Sequence, residues 1–180
     1  MKSQLIIVES PSKIKTLKKF LDDKYTVEAS VGHIRDLPKS NLGIEVDNDF
    51  SAEYHVSPDS TKTVNSLKKA LKNADQLFIA TDPDREGEAI AWHIVDELKP
   101  KIPIKRLVFN EITKTAILDS FKHTRDIDSN LVDAQETRRF LDRLFGFMVS
   151  EKLWFNMKSG VSAGRVQSPA IKILVDREKE

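Results

Sequence analysis

A repeated order constrains this chain most: a short β-branched apolar run, a tight turn, then a helical pattern. Residues 4–8 form such a run. Ser10-Pro11 follows as a helix start, with serine at the N-cap and proline at the first helical position. Ile14, Leu17 and Leu21 then recur at helical spacing among Lys13, Lys15, Lys18 and Lys19. Residues 25–31 predict a second strand, 60–73 a helix with Val64, Leu67 and Leu71 on one face, and 77–80 another buried strand. Residues 85–98 predict a helix with Ile90, Ile94 and Leu98 four apart, ended by Pro100 and Pro103. A strand over 105–109 and a helix over 113–121 complete the alternation. Residues 32–59, with scattered Gly, Pro, Asn, Asp and Ser, predict either a functional loop or one that holds a small hairpin. Alternation of this kind predicts an α/β fold, a parallel sheet with helices on both faces. From about residue 127 no strand signal remains. A long helix over 131–149, short segments at 153–155 and 160–167, and a last helix from Ser168 predict an all-α segment, with a boundary near 125–130.

The chain has 180 residues, enough for one sizeable core and the start of a second unit. There are 29 basic and 28 acidic residues, a net charge of +1. That balance does not exclude a polyanion partner, because local distribution governs steering. Residues 82–88 are acidic and 138–165 are richer in Arg and Lys. Cysteine is absent, which excludes a disulfide framework, a thiolate nucleophile and a cysteine zinc site within this chain. No apolar run approaches the ~20 residues of a membrane span. The opening MKSQLIIVES lacks the length and cleavage pattern of a signal peptide, and reads as the first strand of a cytoplasmic protein.

The chemistry concentrates in ATDPDREGEAIAWHI, where Asp82, Asp84, Glu86 and Glu88 follow directly on the apolar run 77–80. Ligands of parallel α/β sheets bind beyond the carboxyl ends of the strands. Glu9 and Asp82 both stand at such ends, which links them although they are 73 positions apart. Asp84 as an N-cap, with Glu86 and Glu88 complementing the positive helix end, accounts for part of the cluster at about 0.3–1 kcal/mol each. It leaves Asp82, Glu9 and the helical Gly87 without a role. A divalent cation accounts for the carboxylates: Mg²⁺ takes hard oxygen ligands, commonly one or two carboxylates with waters and a substrate phosphate. On spacing alone, metal binding leads the capping reading by a modest margin.

Six ordered blocks extend this reading: ESPSK (9–13), SVGHIRDLP (30–38), ATDPDREGEAIAWH (80–93), FNEIT (109–113), RRFLDR (138–143) and SAGRVQS (162–168). Together they resemble the bacterial DNA topoisomerase I family, the type IA enzymes, over essentially the whole chain. The resemblance implies a Toprim domain, a Rossmann-like parallel sheet, over 1–125. It implies that 126–180 begin the helical domain that grips single-stranded DNA. It further implies Mg²⁺ held by Glu9, Asp82, Asp84 and Glu86. Glu9 would also assist chemistry at the scissile phosphate, and Lys13 would stabilise charge there. The family cleaves one strand through a 5′-phosphotyrosine and relaxes negatively supercoiled DNA; a cytoplasmic monomer is expected.

Neither Tyr25 nor Tyr54 has the context of the family's nucleophile, so the catalytic tyrosine is expected outside these 180 residues, and the chain is expected to be an N-terminal fragment inactive in relaxation. For DNA contact, Arg139 and Arg143 share a helix face, Arg138 flanks it, and Asp142 is placed to orient a guanidinium. Phe140, Met148 and Phe155 are stacking candidates, some of them equally candidates for core. Ser162, Ala163, Gly164, Arg165, Val166 and Gln167 form a small, polar stretch suited to close phosphate approach, and His33 joins them through the GHIRDLP match. Two rivals remain: another Toprim phosphotransfer enzyme, nuclease or primase-like, and a non-catalytic single-strand-binding module, whose binding would be salt-dependent and indifferent to the acids.

Overall fold

A computed structural model describes residues 3–157 and 160–180. The elements run β1 (Ser3–Val8), α1 (Pro11–Leu17), β2 (Tyr25–Ala29), β3 (Arg35–Asp36), β4 (Ile44–Glu45), β5 (Ser51–Ala52) and β6 (His55–Val56). Then come α2 (Thr61–Leu71), β7 (Ala74–Ile79), α3 (Arg85–Leu98), β8 (Ile104–Arg106), α4 (Lys114–Ser120), α5 (Ser129–Asn156) and α6 (Gln167–Glu178). Two compact units emerge: one of the residues up to Asp36 with Tyr54–Gln135, the other of Leu37–Glu53 with Glu136–Glu180.

The first unit is built on a four-stranded parallel sheet of order β2-β1-β7-β8. The α/β expectation is borne out. Successive side chains of a strand point to opposite faces, so β1 serves two cores. Leu5 and Ile7 join Leu77 and Ile79 of β7 beneath Val64 and Leu67 of α2 and Ile90, Ala91 and Ile94 of α3. Ile6 and Val8 join Val27, Phe78 and Ala80 beneath Leu17 of α1 and Ile117 of α4. Continuous apolar runs over 5–8 and 77–79 are therefore required: neither face of these segments meets water. The chain first moves from β1 outward to β2, then returns on the other side to β7. The switch point lies between β1 and β7, and both carboxyl ends there are free to hold a ligand.

The irregular segment after β2 resolves into strand pairs. β3 and β6 pair antiparallel within the first unit, Arg35 opposite Val56. β4 and β5 form a hairpin within the second, Ile44 opposite Ala52. Several element boundaries differ from the sequence expectation: β2 ends at Ala29 rather than 31, and β7 runs Ala74–Ile79 rather than 77–80. β8 ends at Arg106 instead of continuing to 109, the region 153–155 lies inside α5, and α5 reaches Asn156.

In the second unit the strap before α6 is tied to α5. Ser150 Oγ accepts from the Ala163 amide (3.0 Å), and the Trp154 indole donates to the Val161 carbonyl. Among the described residues no helix is long and apolar enough to cross a membrane.

Candidate cation site at the sheet edge

The strand ends converge as expected. Asp82 lies just past β7 and its amide donates to Glu9 Oε2 at 3.4 Å. Lys13, in the first turn of α1, donates to Glu9 Oε1 at 2.5 Å and also to Asp82 Oδ1. One ammonium thus stands between the two carboxylates. Glu9 is pushed above the usual carboxylate range by burial and by its hydrogen bond with Asp82, against the opposing pull of Lys13. Asp82 is held below its usual value by that same bond to Glu9, and by Lys13, against the opposing effect of burial. Burial lowers the Lys13 pKa, but its bonds to Asp82 and Glu9 outweigh it and raise the ammonium above its ordinary value. The environment therefore separates two neighbouring carboxyls: Asp82 ionises readily and Glu9 keeps its proton longer.

Asp84 and Glu86 are placed differently. Asp84 is the N-cap of α3, extended in backbone, and its Oδ1 accepts from the Gly87 amide at 2.7 Å. Glu86 accepts from His33 Nε2 at 2.6 Å and from the Gln135 side-chain amide. A left-handed turn at Val31 (φ 59°) and Gly32 (φ 82°) delivers His33, and the Gly32 amide donates to the Glu9 carbonyl at 3.0 Å. A β-branched residue rarely adopts that region, so Val31 marks stored strain beside the site.

Gly87 has a structural reason. A Cβ there would lie 2.0 Å from the Asp82 carbonyl oxygen, so only glycine lets α3 start against that peptide. Glu88 does not complement the helix end: it is wholly buried. Its Oε1 accepts from Arg106 Nε (2.8 Å) and Arg125 (2.7 Å), and its Oε2 from the Asp128 amide (3.1 Å). Asp128 Oδ1 in turn accepts from the Asn130 and Leu131 amides at the start of α5. Arg106, Arg125 and Gln135 were not singled out from the sequence, and Glu88 was read there only as part of the acidic cluster. Glu88 had a readable signal, standing three residues before Ala91 and seven before Val95 on the core-facing side of α3.

The DNA-contact candidates lie in the second unit. Arg143 donates to the Leu37 carbonyl (3.2 Å) and stands over the Phe147 ring at 5.1 Å. Arg139 and Phe140 are half-buried and Arg138 is exposed. Asp142 does orient a guanidinium, that of Arg165 at 2.6 Å, with Arg138 at 3.9 Å. That bond to Arg165 holds the Asp142 carboxyl low. Met148, Phe155 and Val166 are exposed. In the stretch 162–167, Ser162, Arg165 and Gln167 are exposed, with Ala163 and Gly164 half-buried.

A parallel sheet carrying Glu9 after β1 and an Asp-x-Asp-x-Glu run after β7 defines the Toprim class, and the Toprim domain matches residues 4–112; the chain belongs to that family. A second match, described as DNA topoisomerase, covers residues 126–180. The chain is 53% identical to DNA topoisomerase 1 of Streptomyces coelicolor, over 98% of this chain and 20% of that protein. It is 51% identical to DNA topoisomerase 1 of Mycobacterium tuberculosis strain H37Rv, over 98% and 20% respectively. The solved full-length topoisomerase I of Thermotoga maritima matches with a TM-score of 0.85 and 48% identity, over 97% of this chain and 30% of that one. The resemblance to bacterial DNA topoisomerase I carried by the six motifs is borne out. The chain spans about a fifth of the length of these curated relatives.

Proposed function

We propose that this chain supplies the acidic, charge-stabilising part of a type IA topoisomerase, which relaxes negatively supercoiled DNA by Mg²⁺-dependent transient cleavage of one strand. The observation that carries the reading is the convergence of Glu9 and Asp82 on one cationic point, taken here by the Lys13 ammonium. Among the described residues no three His, Asp or Glu side chains gather as a ligand set. Two carboxylates at a strand switch point fit the sparse protein coordination of Mg²⁺, which leaves its other positions to water and phosphate. Glu9 and Asp82 would hold the cation, with Asp84 and Glu86 as the further acids of the site. When bound, the cation neutralises charge on a DNA phosphate.

The chain's own groups divide the remaining work. Lys13 places a fixed positive charge beside the phosphate position, which a preorganised site makes effective. Glu9, which keeps its proton longer than Asp82, is the carboxyl suited to exchange a proton with a scissile-phosphate oxygen. The two tyrosines are engaged elsewhere: Tyr25 against Phe78 and Phe121, Tyr54 against Trp92 and His93. The phosphotyrosine step therefore needs a nucleophile beyond these residues, and this chain alone does not relax DNA. In this reading residues 1–125 are the Toprim domain and 126–180 begin the helical domain. Arg138, Arg139, Arg143 and the 162–167 stretch contact the single strand, with Phe140, Met148 and Phe155 as stacking surfaces and His33 near the cleaved bond. The protein acts as a cytoplasmic monomer.

Calorimetric Mg²⁺ titration of the chain and of its Asp82→Asn variant tests the reading. Heat of binding that vanishes in the variant supports it; equal binding by both overturns it. Mg²⁺-dependent nicking of a plasmid by this chain would instead favour a Toprim nuclease.

A further inference from the structure

We infer that Arg106 is a positioning residue of the acidic site, fixing the Asp82 peptide and through it the direction of the Asp82 carboxylate. The inference rests on the reading of Asp82 as an acid of the cation site. Arg106 ends β8 and is 1% exposed, so it does not touch substrate. Its Nε donates to Glu88 Oε1 (2.8 Å), its Nη1 to the carbonyls of Ile79 (3.0 Å) and Leu107 (2.8 Å), and its Nη2 to the Asp82 carbonyl (2.8 Å). The bonds to Ile79 and Asp82 straddle Ala80 and Thr81, the short link between β7 and Asp82. A planar guanidinium with fixed donor directions sets both ends of that link at once. A residue needed only to neutralise Glu88 would not require them.

The Asp82 carbonyl is also confined from its other side, by Gly87, where no side chain fits. Thr81 Oγ1 donates to the Gly87 carbonyl at 2.7 Å and closes the same turn. Arg106 is held independently by the Ile79 and Leu107 carbonyls, while Glu88 also accepts from Arg125 and from the Asp128 amide. A chain of hydrogen bonds thus runs from Asp128, just before α5, through the buried Glu88 and Arg106 to the Asp82 main chain. Outer partners of this kind fix the direction of a ligating carboxylate.

The test uses the 180-residue chain with Arg106→Lys, which keeps a charge against Glu88 but has no fork to span Ile79 and Asp82. Arg125→Gln is the control, since it loosens Glu88 and leaves the Asp82 bond in place. Three readouts are taken: the Asp82 carbonyl ¹³C resonance, Mg²⁺ affinity by titration, and the urea midpoint. Arg106→Lys is expected to shift the Asp82 resonance and to weaken Mg²⁺ binding by about 10- to 100-fold. Arg125→Gln is expected to lower the midpoint without either change. A lower midpoint with the resonance and affinity unchanged in Arg106→Lys overturns the inference, as does equal loss of affinity in both variants. If Arg106→Lys does not fold, the unaltered chain decides. A through-hydrogen-bond coupling from the Arg106 guanidinium nitrogen to the Asp82 carbonyl carbon supports the inference, and its absence overturns it. Failure of the wild-type chain to bind Mg²⁺ refutes the cation reading alone, and the Asp82 resonance and coupling then judge the positioning role.

Discussion

The two units bury their residues differently. In the first, the strands and the inner faces of α1 to α4 are closed from water, and even its buried charges are matched: Glu88 faces Arg106 and Arg125. In the second, Phe155 is 91% exposed and Ile171, Ile173 and Leu174 of α6 are all exposed. Its ion pairs, Asp142 with Arg165 and Lys172 with Asp176, lie at the surface. The first unit is thus held by its own core. The second owes its described structure to helix ladders and a few side-chain ties, which are weak on their own.

The sharpest way to break that contrast is to remove one partner from an ion pair in each unit. Glu88→Ala leaves Arg106 and Arg125 without their carboxylate in a dry site, a loss expected to cost about 3–5 kcal/mol by urea denaturation. Asp142→Ala breaks an exposed pair and is expected to leave the midpoint where it was. Similar shifts for both would mean that the surface network is structural after all.

Apolar truncation makes the second comparison. Leu67 of α2 is fully buried and Leu174 of α6 is 66% exposed. Leu67→Ala should cost about 2–5 kcal/mol, as large core deletions do. Leu174→Ala should cost almost nothing in this chain. A large loss for Leu174→Ala, measured at several protein concentrations, would reveal that α6 is covered by a second copy.

Glycines make the third. Gly87→Ala forces a Cβ against the Asp82 backbone and is expected to cost about 1–3 kcal/mol or more, as overpacking does. Gly146 lies inside α5 with its nearest neighbour, the Ala163 carbonyl oxygen, 3.9 Å from a built Cβ. Gly146→Ala should therefore stabilise by up to ~1 kcal/mol through helix propensity. Thermal unfolding of both variants checks the sign.

These pairs also show what the sequence makes legible. The sheet was readable because β1 and β7 are apolar on both faces, and only a parallel sheet wants that. Glu9 and Asp82 were readable as neighbours because strand ends gather at one edge. Asp84 was readable as the N-cap of α3, but the fates of Glu86 and Glu88 were not, since they depend on partners distant in sequence: His33 for Glu86, Arg106 and Arg125 for Glu88. Gly87 stood out only as a cost until the Asp82 peptide was seen against it. The continuity of α5 through 153–155 was legible in the i, i+4 series Phe145, Val149 and Leu153, which the division of that region into separate segments overlooked.

The last effect is set by pH and comes from a group of the first unit. His93 on α3 is buried, with Arg35 donating toward its Nδ1 (3.2 Å) and the Tyr54 ring 4.7 Å away. Burial first, then the charges of Arg35 and His33, push its pKa down from 6.5 to about 3. Above pH 6.5 His93 is neutral in folded and unfolded chains alike and contributes no pH dependence. Between 6.5 and about 3 the unfolded chain takes up a proton that the folded chain refuses. Stability should therefore fall with acid at up to ~1.4 kcal/mol per pH unit from this group. His93→Gln removes the titration and should flatten that part of the curve relative to wild type, whatever it costs at neutral pH. An unchanged slope below pH 6 in the variant would place the acid sensitivity elsewhere. The candidates are then Asp82 and Asp142, whose folded-state pKa values are lowered. Their contributions hold above the unfolded carboxylate range and vanish as pH falls through the folded values, so their signature starts at lower pH than that of His93.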